Sequence, residues 1–265
     1  MRILLVTPWY APAYAYGGIV RVTEDHASGL AQRGHDVTVI TTDAHNRDSR
    51  NPTREDTING VRVIRFPNIS NFLANRSNIY SPIGFDRWTR ENISEFDRVI
   101  VHDIYTWLTF RALHHANKSG IPYAIMPHGT MSHARVTLRH SHIKQWLLEK
   151  IRPYLRDAFA VYAISDGEHD DILSVESRAR TVTLGNGIDM DAIPIIDRPA
   201  ARTNLGISTS TFVCMFLGRL HPLKHPDIAI RAFTRFHETH PDSILLIVGP
   251  DDGARESAQS LARTL

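Results

Sequence analysis

Phe216-Leu217-Gly218-Arg219-Leu220-His221-Pro222-Leu223-Lys224-His225-Pro226-Asp227-Ile228-Ala229-Ile230-Arg231-Ala232-Phe233 is the stretch on which the reading of the fold turns. It follows an apolar run over residues 211–217, rich in Phe and Val, which reads as a buried parallel strand. Gly218 ends that strand, and Ile228, Ala229, Ala232 and Phe233 then recur at helical spacing. The stretch is therefore strand, turn and helix, with Arg219 and Lys224 in the turn. Two cations beside a helix N-terminus suit an anion such as a phosphate, because free N–H groups and the macrodipole add to the side-chain charge. Arg forks onto two oxygens, and Lys adds a compact point charge. Chemistry alone leaves two readings open, an anion clamp or a pair of solvated cations.

The rest of the chain repeats the strand-and-helix order. Residues 2–7 form a short apolar strand, and residues 8–18 a loop whose Pro, aromatic and paired Gly17-Gly18 content opposes regular structure. A helix over 20–33 closes at Gly34, and 36–42 is the next strand, which makes a βαβ unit and predicts a parallel sheet. Gly17-Gly18 lacks the G-x-G-x-x-G spacing of a dinucleotide turn, which excludes a nicotinamide dehydrogenase. Further strands are expected at 60–66, 98–103, 121–127, 159–164, 180–184 and 242–249, with the polar stretch 43–59 as a loop or insertion. Helices are expected at 82–96, 107–117, 138–155 and from 253 onward. Ser165 and Glu168 have the spacing of a capping box. Ligands of open α/β sheets gather at strand carboxyl ends, which selects the loops at 8–18, 102–105 and 128–133 as one rim. On that rim His128 is either a ligand contact or a hydrogen-bonded cap, and His102-Asp103 either binds a ligand or is structural.

Composition narrows the class. The 265 residues are 42% hydrophobic and 22% charged, with net charge +2, which is ordinary for a globular chain and predicts no particular partner. The single cysteine, Cys214, excludes an intrachain disulfide and fits a reducing, cytoplasmic compartment. No run approaches a membrane span, and the opening strand begins too soon for a secretory signal. Among the 15 histidines, His128, His133, His140 and His142 crowd together, but no Cys joins them, and His140 and His142 point to different faces of a helix. Asp189-Met190-Asp191 follows a Gly-Asn-Gly turn rather than a metal loop. Metal is declined at both places. The basic helix 138–155, apolar at Ile143, Trp146, Leu147 and Ile151, is either a solvated face or a contact for anionic lipid. Without interleaved basic and aromatic residues, nucleic acid is excluded.

Four motifs carry a resemblance. Gly17-Gly18, Pro127-His128-Gly129, Gly185-Asn186-Gly187-Ile188-Asp189 and the Gly218-Arg219 to Lys224 stretch stand in an order and spacing that resemble glycosyltransferase family 4. The resemblance implies the GT-B fold: α/β, two Rossmann-like parallel-sheet domains, here with the second incomplete. It divides the chain into an acceptor-side domain at 1–188, a linker at 189–210 and a partial donor-nucleotide domain at 211–265. It further implies a retaining transferase that moves a sugar from a nucleotide-diphosphate sugar to a glycan or lipid-linked acceptor, without metal or cofactor. Arg219 and Lys224 would hold the diphosphate, Gly17-Gly18 would let backbone approach the donor, and His128 would touch the donor sugar beside the reacting carbon. The leaving phosphate would itself help deprotonate the acceptor. The chain departs from the family at His225, where the family usually has Gly, and the family's paired glutamates are expected beyond Leu265. Their absence favours a rival reading, a non-catalytic sugar-nucleotide or carbohydrate-binding fragment, and implies that the chain as it stands does not turn over donor.

Overall fold

Ile3, Leu4, Leu5 and Val6 are between 0% and 3% exposed, and a strand buried on both faces belongs in the middle of a sheet. In the computed structural model this strand, β1 (Arg2–Val6), pairs in parallel with β2 (Asp36–Thr42) on one side and β5 (Arg98–His102) on the other. The structure describes residues 1–46, 48–70, 80–132, 141–190 and 193–265. His133, Arg135, His140 and Asp191, and with them the start of the basic helix at 138, lie outside the described residues.

Met1–Ile188 form one unit built on a single eight-stranded sheet. Its order is β3-β4-β2-β1-β5-β6-β7-β8, where β3 is Glu55–Ile58, β4 Val61–Phe66, β6 Tyr123–Met126, β7 Ala160–Ala163 and β8 Thr181–Thr183. Every pairing is parallel except β3 with β4. Successive strand residues alternate between faces. Leu4, Val6, Ile40, Val99, Val101 and Ile125 enter one core, while Ile3, Leu5, Val37, Val39, Val61 and Val63 enter the other. Helix α1 (Gly18–Gln32) covers the second face through Ala27. After α2 (Phe85–Asn92), α3 (Trp107–Lys118) covers the first face with Leu108, Ala112, Leu113 and Ala116. The chain runs outward from β1 through β2 to β4, then returns to β5 on the other side of β1. The order therefore reverses between β1 and β5, and their carboxyl ends flank the crevice where such sheets bind ligands.

Three expectations are corrected. Residues 43–59 are not all loop: Glu55–Ile58 pair antiparallel with β4 across Asn59-Gly60, whose φ values of 51° and 79° are those of a two-residue hairpin turn. The helix expected over 82–96 is shorter, Phe85–Asn92 followed by the 3-10 turn Ile93–Glu95. In α4 (Ser141–Asp157) the buried face is Leu148, Ile151 and Leu155; Ile143 and Trp146 are each 58% exposed, with the Lys150 ammonium 5.6 Å from the Trp146 ring centre. The i, i+3, i+7 spacing of 148, 151 and 155 is one helical face, and 143 and 146 fall beside it.

Asp189–Leu265 form the second unit. A short helix, α6 (Arg198–Asn204), occupies part of the 189–210 segment expected as linker. Strands β9 (Phe212–Leu217) and β10 (Ser243–Val248) pair in parallel and in register, with α7 (Pro226–Thr239) between them and α8 (Arg255–Thr264) after them. Burial here is thinner than in the first unit: Phe212, Met215 and Leu217 are 55%, 60% and 71% exposed. The loops that leave the two strands are laced by backbone bonds, Gly218 N–H to Val248 O, Leu220 N–H to Pro250 O, and Asp252 and Ala254 N–H to Leu220 O. Gly249, at φ 149°, permits this approach, since a Cβ there would lie 1.8 Å from the Gly218 carbonyl oxygen.

Candidate functional site

On the first unit the rim is built by three strand ends and one helix start. After β1 the loop reaches Gly17, at φ 90° and ψ −155°, a conformation that favours glycine. Gly17 caps α1 without a side-chain bond, and a Cβ at Gly17 or Gly18 would meet open space within 4 Å. The helix N-terminus is thus bare backbone, the form in which it binds anions or sugar hydroxyls.

His102 is the last residue of β5, fully buried at 0% exposure. His128 stands two residues past β6, half-buried, with φ at 56°. A left-handed non-glycine residue is costly, about 1 kcal/mol or more, and persists where its surroundings hold it. Part of that hold is local. The Glu168 carboxylate accepts the Gly129 N–H with one oxygen and the Ile164 N–H, at 2.8 Å, with the other. Ser165 caps α5 (Asp166–Val175) by accepting the Glu168 N–H at 3.3 Å. The expected capping box is therefore half formed, and its Glu ties the His128-Gly129 turn to β7 and α5 instead.

The two histidines meet. His102 Nδ1 lies 2.8 Å from His128 Nε2, and the rings are nearly parallel at 13°. His26 of α1 adds a third ring, 5.6 Å from His102 centre to centre. Burial pushes the His128 imidazole down to about 4, with nearby His26 acting in the same sense, and burial holds His102 well below the usual range. Burial also lowers His26. All three are neutral near pH 7. Asp103, at φ 72°, turns Oδ1 onto the N–H groups of Ile104 and Tyr105. His26 escaped the sequence reading because a helix residue seventy-six positions from its neighbour carries no local signal. Among the described residues no group of three or more His, Cys, Asp or Glu is arranged to hold a metal ion.

On the second unit Arg219 follows Gly218 directly and donates to Asp252 Oδ2 at 2.7 Å. Lys224 ends the 3-10 turn Pro222–Lys224, is exposed, and has no side-chain partner among the described residues. His225, where the resemblance leads one to expect Gly, takes φ 51° and ψ 52° and caps α7. The loop thus follows the left-handed path that glycine favours, with a histidine in its place. A cavity of about 660 Å³ opens nearby against α7 and α8, lined by His225, Asp227 and Arg231, but neither Arg219 nor Lys224 lines it.

Comparison with known proteins places the chain in a family. The model of Glycosyltransferase Family 4 matches residues 16–192. A D-inositol 3-phosphate glycosyltransferase of Acidothermus cellulolyticus is 42% identical over 73 residues, 26% of this chain and 16% of that protein. The glycogen synthase of Mycobacterium tuberculosis H37Rv is 25% identical over 270 aligned residues, 94% of this chain and 61% of that protein. Anabaena HepE, crystallised with UDP, superposes with a TM-score of 0.69 at 18% identity, covering all of this chain and 65% of its own. The chain spans less than two thirds of each of these proteins. The shared fold is GT-B, with parallel sheets of Rossmann type. The chain belongs to Glycosyltransferase Family 4.

Proposed function

We propose that the protein is a retaining glycosyltransferase that moves a sugar from a nucleotide-diphosphate sugar to a glycan or lipid-linked acceptor, using neither metal nor cofactor. The observation that carries this reading is the turn after β9, where Arg219 and Lys224 stand exposed on a loop laced rigidly to its neighbour. Preorganised cations of this kind stabilise charge that grows on a leaving diphosphate. HepE in complex with UDP, and relatives named as glycogen synthase and D-inositol 3-phosphate glycosyltransferase, support a nucleoside diphosphate as the donor's leaving part.

In this reading the first unit takes the acceptor and presents His128 to the donor sugar, and Gly17-Gly18 offers bare N–H groups to the donor. His128, neutral at pH 7, serves as a hydrogen-bonding contact and not as a charge. No described helix is long and apolar enough to cross a membrane. A cytoplasmic protein that touches the inner membrane face through α4 fits the exposed Ile143 and Trp146 with Lys150 over the ring, an amphipathic surface suited to the headgroup layer. The test is donor consumption: UDP- and other nucleotide-activated sugars are offered with candidate acceptors, and nucleoside diphosphate release is followed. The anomeric proton of the product then reports stereochemistry. Wherever release is seen it is expected to depend on acceptor and to keep the anomeric configuration; an inverted product, or no binding of any nucleoside diphosphate by the chain, overturns the reading.

A further inference from the structure

We infer that His102 is the positioning residue for His128: His102 Nδ1–H donates to His128 Nε2, which leaves His128 to meet ligand through a protonated Nδ1. This rests on the reading that His128 faces the donor sugar, and it adds which atom does so and what that atom offers. The two facing nitrogens are 2.8 Å apart, so one proton lies between them and only one. Both rings are neutral. His102 is 0% exposed, and burial disfavours the imidazolium of both rings. A neutral imidazole carries a single N–H, so the shared bond locks the tautomers together. Either both rings are protonated at Nδ1 or both at Nε2.

His102 Nε2 decides between them. It is sealed from solvent and has no hydrogen-bond partner among the described residues. Protonation at Nε2 would bury an N–H with no acceptor, the rarer defect in folded proteins; protonation at Nδ1 leaves only a bare ring nitrogen there. The Nδ1-protonated arrangement is therefore the stable one. His128 offers an N–H, suited to a hydroxyl or ether oxygen of the donor sugar, and its Nε2 is withdrawn from chemistry. Backbone and ring are then fixed by different partners, the left-handed turn by Glu168 through Gly129 and the imidazole plane by His102.

Two-bond proton–nitrogen correlations of the ¹⁵N-labelled chain at pH 7 read the tautomers directly, with ring signals assigned by His102→Asn and His128→Asn. Both His102 and His128 are expected with Nδ1 protonated and Nε2 bare. An Nε2–H on either ring, or an imidazolium, overturns the inference. His102→Asn keeps an amide N–H where Nδ1 was and should leave the His128 pattern intact. His102→Leu removes the donor and should shift a proton onto His128 Nε2; an unchanged His128 spectrum in a folded His102→Leu protein also overturns it. The wild-type spectrum tests the tautomers even if His102→Leu does not fold. None of these readouts needs turnover, so a chain with the expected tautomers that binds no nucleoside diphosphate would sink the functional reading and leave the pair as described.

Discussion

Arg219 is held by Asp252 at 2.7 Å while Lys224 is unpartnered among the described residues, so the two cations start from different states. In the proposed function a diphosphate would share the guanidinium with a carboxylate but take the ammonium outright. Charge-assisted contacts are worth roughly 1.5–3 kcal/mol, so Arg219→Ala and Lys224→Ala should each weaken UDP binding about ten- to a hundredfold. Titration calorimetry checks this, and unchanged affinity in both variants removes the clamp. His128 leads to a pH prediction. Its folded pKa, about 4, lies below the usual imidazole value of 6.5, so the unfolded chain binds the extra proton first. The stabilisation is fully present above about pH 6.5 and is lost as pH falls towards 4, with buried His102 adding in the same direction. Urea unfolding midpoints of the first unit should fall over that window, and fall less steeply in His128→Asn. A midpoint flat from pH 7 to 4 would remove the neutral pair.

At the scale of elements, Gly249 and Glu168 bear the sharpest expectations. A methyl at Gly249 has nowhere to go but into the Gly218 carbonyl, which is backbone and cannot swing aside. Gly249→Ala should cost the second unit about 3 kcal/mol or more, read as a lower midpoint for its unfolding, whereas Gly187→Ala, in open space, should change little. Glu168→Ala removes an acceptor from two backbone N–H groups and should cost about 2–3 kcal/mol. Chemical shifts of Gly129 and His128 should move with it; a change confined to α5 would reduce Glu168 to a helix cap. The strands were legible because buried parallel strands are continuous apolar runs ended by Gly, Pro or Asp, as at residues 3–6 and 123–126. β3 was not, because Glu55-Asp56-Thr57-Ile58 has poor strand composition, although Asn59-Gly60 was a hairpin signal in plain view. The strand-end positions of His102 and His128 were legible by topology. The His26–His102–His128 contact was not, since only tertiary folding brings α1, β5 and the β6 turn together.

Across the whole molecule the two units differ in how much they bury. The first has β1 and its neighbours nearly closed to solvent, while the second leaves half or more of Phe212, Met215 and Leu217 exposed. Amide exchange should therefore be slowest in β1, β2, β5 and β6 and markedly faster in β9 and β10. Equal protection in both units, at a concentration where the chain is monomeric, would contradict that ordering. The eight-stranded sheet, finally, ends differently on its two sides. One border is β3, whose Glu55 pairs with Arg62 and whose Asp56 lies 3.7 Å from Arg65, so an incoming strand would meet a charged edge. The other is β8, three residues long, uncharged, with Val182 and nearby Leu184 each 47% exposed. The two borders are thus closed to a foreign strand by different means, charge at the hairpin and brevity at β8, so a substitution that opens one leaves the other as it was.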